Sequence, residues 1–294
     1  MARVVTSKML AALAQPTKAE INSLELTKVQ KDLSNESDES ILARLRERFE
    51  ILDDMTRAVK KGDVRAMIVT GPPGVGKSFG VEKVLSKHDV FANVAQDEKL
   101  KKYEVVKGAM SAIGLYSKLY HFAEKKNVLV FDDCDSILLD DLSLNILKAA
   151  LDTSKKRTIH WNTDSHLLRR EGVPDSFEFM GGAIFITNIK FDHVKSKKLR
   201  DHLEALESRC HYLDLTIDTD REKLLRIEQV VNECGMLDHY ELEDTAKADV
   251  VNYVKANVSR VRELSLRTVL KVADLRASMP AKWQAVADMT CLRS

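Results

Sequence analysis

The 294-residue sequence has little glycine and proline, 11 and 5 residues, where average usage near ~12% would supply about 35. Long helices and few tight turns are therefore expected. Cysteine is also scarce, and the four residues, Cys134, Cys210, Cys234 and Cys291, lie far apart with no C-x-x-C pair. That spacing excludes a disulfide framework and a zinc site of ordinary form. We predict a reducing, cytoplasmic environment.

Excess charge and long apolar runs are also missing. The 46 Lys and Arg nearly cancel the 45 Asp and Glu, which excludes global attraction to nucleic acid but leaves local basic patches open. No apolar run approaches the ~20 residues that a membrane span requires. Residues 1–14 resemble a signal peptide in composition, but Lys8 interrupts the apolar stretch, so we expect a short amphipathic helix instead. A soluble globular protein without a membrane segment is predicted.

Patterning divides the chain into three parts. Residues 1–40 comprise a weakly patterned arm and a polar linker. Apolar residues at helical spacing then run from Ile41 to Val59, and they predict a helix that stops at Gly62. Short apolar runs alternating with helical patterns predict an α/β domain with a mostly parallel sheet at 41–218, and purely helical patterns predict a small all-helical domain at 219–294. The predicted strands are 66–69, 103–106, 128–131, 183–186 and 212–215, and the predicted helices between them are 78–87, 115–126, 142–151 and 194–208.

The scarce glycines and prolines are crowded into one loop. Residues 71–78 (GPPGVGKS) match G-x-x-x-x-G-K-[ST] between an apolar strand and a helical pattern. Such a loop turns backbone N–H groups toward phosphate, and the following helix directs its positive end at the same anion. An ordinary Gly-Pro turn is the alternative, and it does not explain why both flanks also fit. The predicted nucleotide-binding residues are Gly71, Pro72, Pro73, Gly74, Val75, Gly76, Lys77, Ser78 and Phe79.

Polar residues at two strand ends complete the predicted site. Asp132 and Asp133 follow the strand 128–131, and Asn188 follows the strand 183–186. We expect Ser78 and Asp132 to hold Mg²⁺, and Asp133 to orient or deprotonate the attacking water. Asn188 could position that water, although an isolated Asn is more often a turn former.

Together these residues resemble the AAA+ ATPases over residues 41 to about 276. The resemblance implies a P-loop NTPase fold, a three-layer αβα domain followed by a helical lid, with ATP and Mg²⁺ as cofactors. It makes Lys77 and Ser78 Walker A, Asp132 and Asp133 Walker B, and Asn188 sensor 1. The family usually has Glu where this chain has Asp133, so hydrolysis could be slow. The stretches 107–108, 114–116 and 131–135 are similar to a little-characterised group of bacteriophage AAA-type ATPases.

Two arginines gain catalytic roles through the same resemblance. Arg209, followed by Cys210, resembles an arginine finger, and Arg267 resembles sensor 2 at the start of a lid helix. A finger supplied by a neighbouring subunit implies a ring or spiral oligomer. Because element boundaries read from sequence shift by a few residues, Arg200 rivals Arg209, and Arg260 and Arg262 rival Arg267.

The predicted function is an oligomeric AAA+ ATPase that hydrolyses ATP to ADP and phosphate and remodels or translocates a nucleic acid or nucleoprotein. The alternative is a nucleotide-dependent switch, loader or assembly scaffold with slow hydrolysis. A P-loop kinase is a third possibility, but the predicted C-terminal helices and the strand end at Asn188 fit an AAA+ ATPase better. The segment 107–115 takes the place of a pore loop but has Ala112 rather than an aromatic before Ile113-Gly114, which weakens an unfoldase interpretation and leaves a protein partner open.

Two local basic patches could contact phosphates or could merely be solvated. The first comprises Lys155, Lys156, Arg157, Arg169 and Arg170, and the second comprises Lys190, Lys195, Lys197, Lys198 and Arg200.

Overall fold

The computed structural model describes residues 36–88 and 101–293, which are built around a five-stranded sheet. Its strand order is β2-β3-β6-β1-β7, and every neighbouring pair is parallel. Central strands are buried on both faces, as expected of apolar runs covered by helices. The strands are β1 Ala66–Thr70, β2 Tyr103–Lys107, β3 Val128–Asp132, β6 Gly182–Thr187 and β7 His211–Asp214, with β4 Thr158–His160 and β5 Ser176–Glu178 forming a separate antiparallel pair.

Helices cover both faces of the sheet. One apolar cluster packs α3, α4 and α6 against residues such as Phe131 and Phe185, and a second packs α1 and α2 against Met67 and Ile184. The result is three layers, and the loop between β1 and α2 makes the fold that of an α/β P-loop NTPase, as predicted. These helices are α1 Asp38–Lys61, α2 Lys77–Leu85, α3 Ala112–His121, α4 Asp141–Ala150, α5 His166–Arg170 and α6 Lys197–Glu207.

The C-terminal helices share an apolar cluster of their own, which we call the helical lid. Its first helix starts with a capping box between Thr219 and Glu222 and ends at Gly235, whose φ of 65° gives a left-handed helix stop. The lid helices are α7 Asp220–Cys234, α8 Asp244–Ala256, α9 Leu266–Ser278 and α10 Trp283–Cys291. Division of the chain at residues 40 and 218 stays a prediction, and residues 1–35 lie outside the described part.

Several elements differ from the sequence-based prediction. The first helix begins at Asp38, three residues early, because Ser37 in the polar stretch caps it by accepting from the amide of Ser40. Helix α3 runs from Ala112 to His121 instead of 115 to 126. Ser111 caps its start by accepting from the amide of Gly114, and the backbone leaves the helical conformation at Phe122, where φ is −109°. The β4–β5 pair, α5 and α10 were not predicted. In the described ranges, no helix is both long and apolar enough to cross a membrane.

Candidate nucleotide-binding site

The predicted site residues meet at the carboxyl edge of the sheet. Strand register pairs Asp132 with Lys107 of β2 and with Ile186 of β6, and it pairs Thr70 with Thr187. Since β6 lies between β1 and β3, the residue after it is placed between the phosphate-binding loop (residues 71–78) and the two carboxylates. This is the edge where α/β sheets bind ligands.

The phosphate-binding loop has a backbone that side chains would strain. Gly74 has φ 71° and Gly76 has φ 100°, both left-handed, and Gly76 directly precedes helix α2. Amides at this helix start lack partners within the helix, so they are available to an anion. The glycines therefore let the loop present backbone amides at the start of α2.

Lys77 is held inside this loop. Its Nζ donates to the carbonyl oxygens of Gly71 and Pro72 at 2.7 and 2.9 Å and to Oδ1 of Asn188 at 2.8 Å. Burial lowers the pKa of Lys77 to about 8, while the nearby carboxylates Asp133 and Asp132 act in the opposite direction. A buried ammonium surrounded by oxygen atoms is suited to an anionic ligand.

Ser78 and Asp132 form the predicted metal pair. The Ser78 hydroxyl donates to Oδ1 of Asp132 at 2.9 Å, and the Asp132 side chain is only 7% exposed. Among the residues that the structure describes, no three His, Cys, Asp or Glu side chains cluster as an independent metal site. This donor set fits Mg²⁺ bound together with a nucleotide, because that ion takes one or two protein oxygens and completes its shell with phosphates and water.

Asp133 lies next to both Asn188 and Arg267. Asn188 Nδ2 donates to Oδ1 of Asp133 at 2.9 Å, and the guanidinium of Arg267 lies 3.9 Å from the other Asp133 oxygen. Asp133 has φ 51° and a side chain 46% exposed, so its carboxylate is open to water. Asn188 thus bridges Lys77 and Asp133, which is more than the turn-forming role that its sequence context alone favours.

A cleft of about 510 Å³ joins these groups to the helical lid. One end is polar, and the other has an apolar wall from lid helices α7 and α9 and the segment between α7 and α8. That wall was missed by sequence analysis, because apolar residues at helical spacing look the same whether they face a core or a cleft. The lining residues are Pro73, Gly74, Gly76, Lys77, Ser78, Phe79, Lys107, Gly108, Asp132, Asp133, Ile186, Asn188, Val230, Met236, Leu266, Arg267 and Leu270.

Three residues of the loop do not line this cleft. Gly71 accepts from Lys77 and packs against Leu215, where an added Cβ would lie 2.9 Å from backbone atoms. Pro72 and Val75 line a neighbouring cleft of about 370 Å³ on the other side of the loop. Gly71 and Pro72 bind Lys77 through their carbonyl oxygens and so reach the cleft indirectly.

The lid touches the phosphate-binding loop directly. The amide of Leu266, at the start of α9, donates to the carbonyl of Gly74 at 2.9 Å. Arg226 of α7 lies 3.3 Å from the ring centre of Phe49 and donates to the carbonyl of Val75 at 3.5 Å. Burial lowers the pKa of Arg226 to about 10. Phe49 and Arg226 were not predicted, since long-range contacts carry no local signal.

The two arginine-finger candidates lie outside this cleft. Arg209 follows α6 and donates through Nη1 to the carbonyl of Ala205, while its Nε is buried and has no hydrogen-bond partner within residues 36–88 and 101–293. Arg200 folds back on the carbonyl of Val194 at 2.8 and 3.2 Å. Arg262, a rival of Arg267, lines the neighbouring cleft instead. Within one chain, Arg267 reaches the cleft and Arg209 does not.

Both basic patches are smaller than their sequence indicates. Arg157 is buried, donating to the carbonyls of Ala150 and Gly181, so it is unavailable to a partner. Arg169 and Lys198 are paired with Asp164 and Asp141. The segment leading into α6 keeps exposed lysines at positions 190, 195 and 197.

No family model matches the chain. Among solved structures, a closed-state cryo-EM reconstruction of Hsp104 with ATPγS and FITC casein matches with a TM-score of 0.45 and 15% identity. The match covers 83% of this chain and only 38% of that one. At these values the similarity supports no conclusion about function, and none is drawn from it.

A sequence relative is much nearer. The "Uncharacterized 36.7 kDa protein in nrdC-mobD intergenic region" of Enterobacteria phage T4 is 36% identical over 254 residues, covering 86% of this chain and 76% of the phage protein. The predicted similarity to bacteriophage proteins is thereby confirmed, while the relative's name specifies no activity. The chain belongs to the family of this phage T4 protein.

Proposed function

We propose that the protein binds Mg-ATP in the 510 Å³ cleft and hydrolyses it to ADP and phosphate. The observation that supports this proposal most strongly is a chain of hydrogen bonds from Lys77 through Asn188 to Asp133. Next to it, the Ser78 hydroxyl is hydrogen-bonded to Asp132. Lys77 and the loop amides would bind the β- and γ-phosphates, and the apolar wall would take the base. Ser78 and Asp132 would hold Mg²⁺, which supplies charge neutralisation for the phosphates when bound.

In the proposed reaction a water oxygen attacks the γ-phosphorus while the bond from that phosphorus to the β,γ-bridging oxygen breaks. ADP leaves with the bridging oxygen, and the water proton passes by way of the Asp133 carboxylate to solvent. Asp133 accepts a hydrogen bond from that water and orients it, because its carboxylate is solvent-exposed and fixed by Asn188. Arg267, which lines the same cleft, would bind γ-phosphate oxygens. Arg209, which does not line the cleft of its own chain, would act on the cleft of a neighbouring copy in a ring or spiral.

We further propose that hydrolysis remodels or moves a nucleic acid or nucleoprotein, which the exposed lysines near α6 would contact. A second candidate is a slow nucleotide switch or loading scaffold. One observation favours this candidate. The residue proposed to orient the water is Asp133, whose side chain is one methylene shorter than that of Glu. Its carboxylate already accepts a hydrogen bond from Asn188 and lies 3.9 Å from Arg267.

The test compares the wild-type protein with Lys77→Ala in ATP binding and ATP hydrolysis. We expect at least tenfold weaker binding in Lys77→Ala, because three oxygen atoms and the phosphates lose their ammonium partner. Lys87→Ala is the matched control, since Lys87 is exposed in the turn after the same helix. Unchanged ATP affinity in Lys77→Ala would overturn the proposal.

The same assay separates the two candidates when single-stranded DNA, duplex DNA or RNA is added at two salt concentrations. A motor is expected to hydrolyse faster with its polymer, and the stimulation should decline with salt as counterion release predicts. A switch should show slow, unstimulated turnover together with ATP-dependent assembly.

A further inference from the structure

Lys107 ends strand β2 in the cleft and contacts two carboxylates. Its Nζ lies 2.9 Å from Oε1 of Glu82 and 3.2 Å from Oδ2 of Asp132. The Lys107 and Glu82 side chains are 59% and 43% exposed, whereas that of Asp132 is 7% exposed. Lys107 therefore connects the solvent side of the cleft to its most buried carboxylate.

These contacts give the two oxygens of Asp132 different partners. Oδ1 accepts from the Ser78 hydroxyl, and Oδ2 faces Lys107. Glu82 and Ser78 lie four residues apart on α2, so the three contacts form a closed ring from helix α2 through β3 and β2 and back to α2. A carboxylate held at both oxygens has its rotation fixed, which orients Oδ1 toward the phosphate end of the cleft.

The lysine also places a positive charge where a divalent cation would be held. Its ammonium lies between the carboxylates of Glu82 and Asp132, at 2.9 and 3.2 Å. Like charges a few ångströms apart repel, and the repulsion doubles for a divalent ion. Partial exposure of Lys107 and the neighbouring Glu82 reduce this effect without cancelling it.

We propose that Lys107 is a positioning residue for Asp132 and that it sets the concentration of divalent cation that nucleotide binding requires. The inference rests on the proposed function. Lys107 orients the metal-facing oxygen and at the same time lowers the affinity of the pair for Mg²⁺, so that cation binding depends on the phosphates that accompany it.

The test is a titration of Mg²⁺ at a fixed concentration of a fluorescent ATP analogue, read by its binding and not by turnover. In Lys107→Met, the Ser78 hydroxyl still holds Oδ1 of Asp132, so the loss of the positive charge should outweigh the loss of orientation. Half-maximal binding should then need roughly three- to tenfold less Mg²⁺. Lys107→Arg should retain the wild-type requirement. Glu82→Gln should shift it the other way, since it removes the negative charge that offsets Lys107.

Lys118→Met is the matched control, because Lys118 is ion-paired to Glu104 outside the cleft. Thermal melting of each variant verifies folding. An unchanged Mg²⁺ requirement in Lys107→Met, or shifts of the same sign in Lys107→Met and Glu82→Gln, would refute the inference while wild-type binding still supports the proposed function. Absence of Mg²⁺-dependent nucleotide binding in the wild type would refute both.

Discussion

Asp133 shows how a single residue combines backbone and side-chain requirements. It follows directly on the buried strand β3, and its φ of 51° turns the chain so that its side chain faces the cleft. Asp and Asn tolerate this left-handed conformation better than most residues. The same side chain is oriented by Asn188 and lies 3.9 Å from Arg267.

Asp133→Asn should bind ATP with nearly wild-type affinity and hydrolyse it at least about a hundredfold more slowly, because the amide cannot accept a proton from water. The substitution preserves size and the left-handed backbone, so the fold should be retained. Single-turnover hydrolysis and equilibrium binding measure the two effects separately.

Asp135→Asn controls for the loss of charge in the same segment. Asp135 accepts from the Thr187 hydroxyl at 2.7 Å and does not line the cleft. We expect its turnover to stay within a fewfold of wild type. If Asp133→Asn keeps full turnover, another group orients the water.

At the scale of elements, the phosphate-binding loop is in direct contact with the start of lid helix α9. Gly74 has φ 71°, its carbonyl accepts from Leu266, and a Cβ added to it would lie 2.6 Å from Cβ of Ser265. Ser265 itself is buried with its hydroxyl unpaired. A side chain at position 74 therefore cannot be accommodated without displacing the loop or the start of α9.

Gly74→Ala should therefore lower nucleotide affinity at least tenfold and lower the melting temperature. The left-handed backbone costs an alanine about 1–2 kcal/mol, and the clash with Ser265 must be relieved by displacing either the loop or α9. Calorimetry of binding and thermal melting measure these effects.

Gly172→Ala is the control that measures the backbone strain alone. Gly172 has φ 69° but no atom within 4 Å of an added Cβ, so it has the backbone strain without the clash. Its nucleotide affinity should be unchanged. Recovery of affinity in Gly74→Ala combined with Ser265→Gly would assign the loss to the clash, and equal effects in the two alanine variants would contradict it.

At the scale of the whole molecule, one chain provides a cleft that lacks its proposed arginine finger. Arg209 lies after α6, away from the cleft of its own chain, and its buried Nε has no partner among the described residues. Completion of the site by a second copy is consistent with this placement, and the oligomer remains a prediction.

Arg209→Ala should bind ATP normally and lose at least about tenfold in turnover, because the transition-state charge would lack a guanidinium partner. Mixing it with Lys77→Ala subunits, which keep Arg209 but bind ATP at least tenfold more weakly, should restore part of the activity. Arg57→Ala, which alters an exposed arginine on α1, serves as the control. If the two variants are shown to form a mixed oligomer and that oligomer stays inactive, Arg209 does not act between subunits.

Local sequence patterns were sufficient to predict the position of the phosphate-binding loop and most strands of the sheet. A strand, a glycine-rich loop and a helix follow one another in the sequence, and this order predicted the loop at residues 71–78. Two apolar runs are followed by polar residues, Asp132 and Asn188, and this pattern predicted that both strands end at the same edge of the sheet. These predictions succeeded because the relevant forces, backbone strain and burial of whole strands, act within a few residues of chain.

Tertiary structure alone decided the roles of Lys107, Phe49 and Arg226 and the burial of Arg157. Lys107 belongs to the cleft because β2 pairs with β3 in a register that places it beside Asp132, and Arg226 reaches the loop across 151 residues of chain. Such contacts depend on register and on helix packing between distant segments. A one-residue change in register would reverse which face a side chain occupies, and no local pattern encodes that choice.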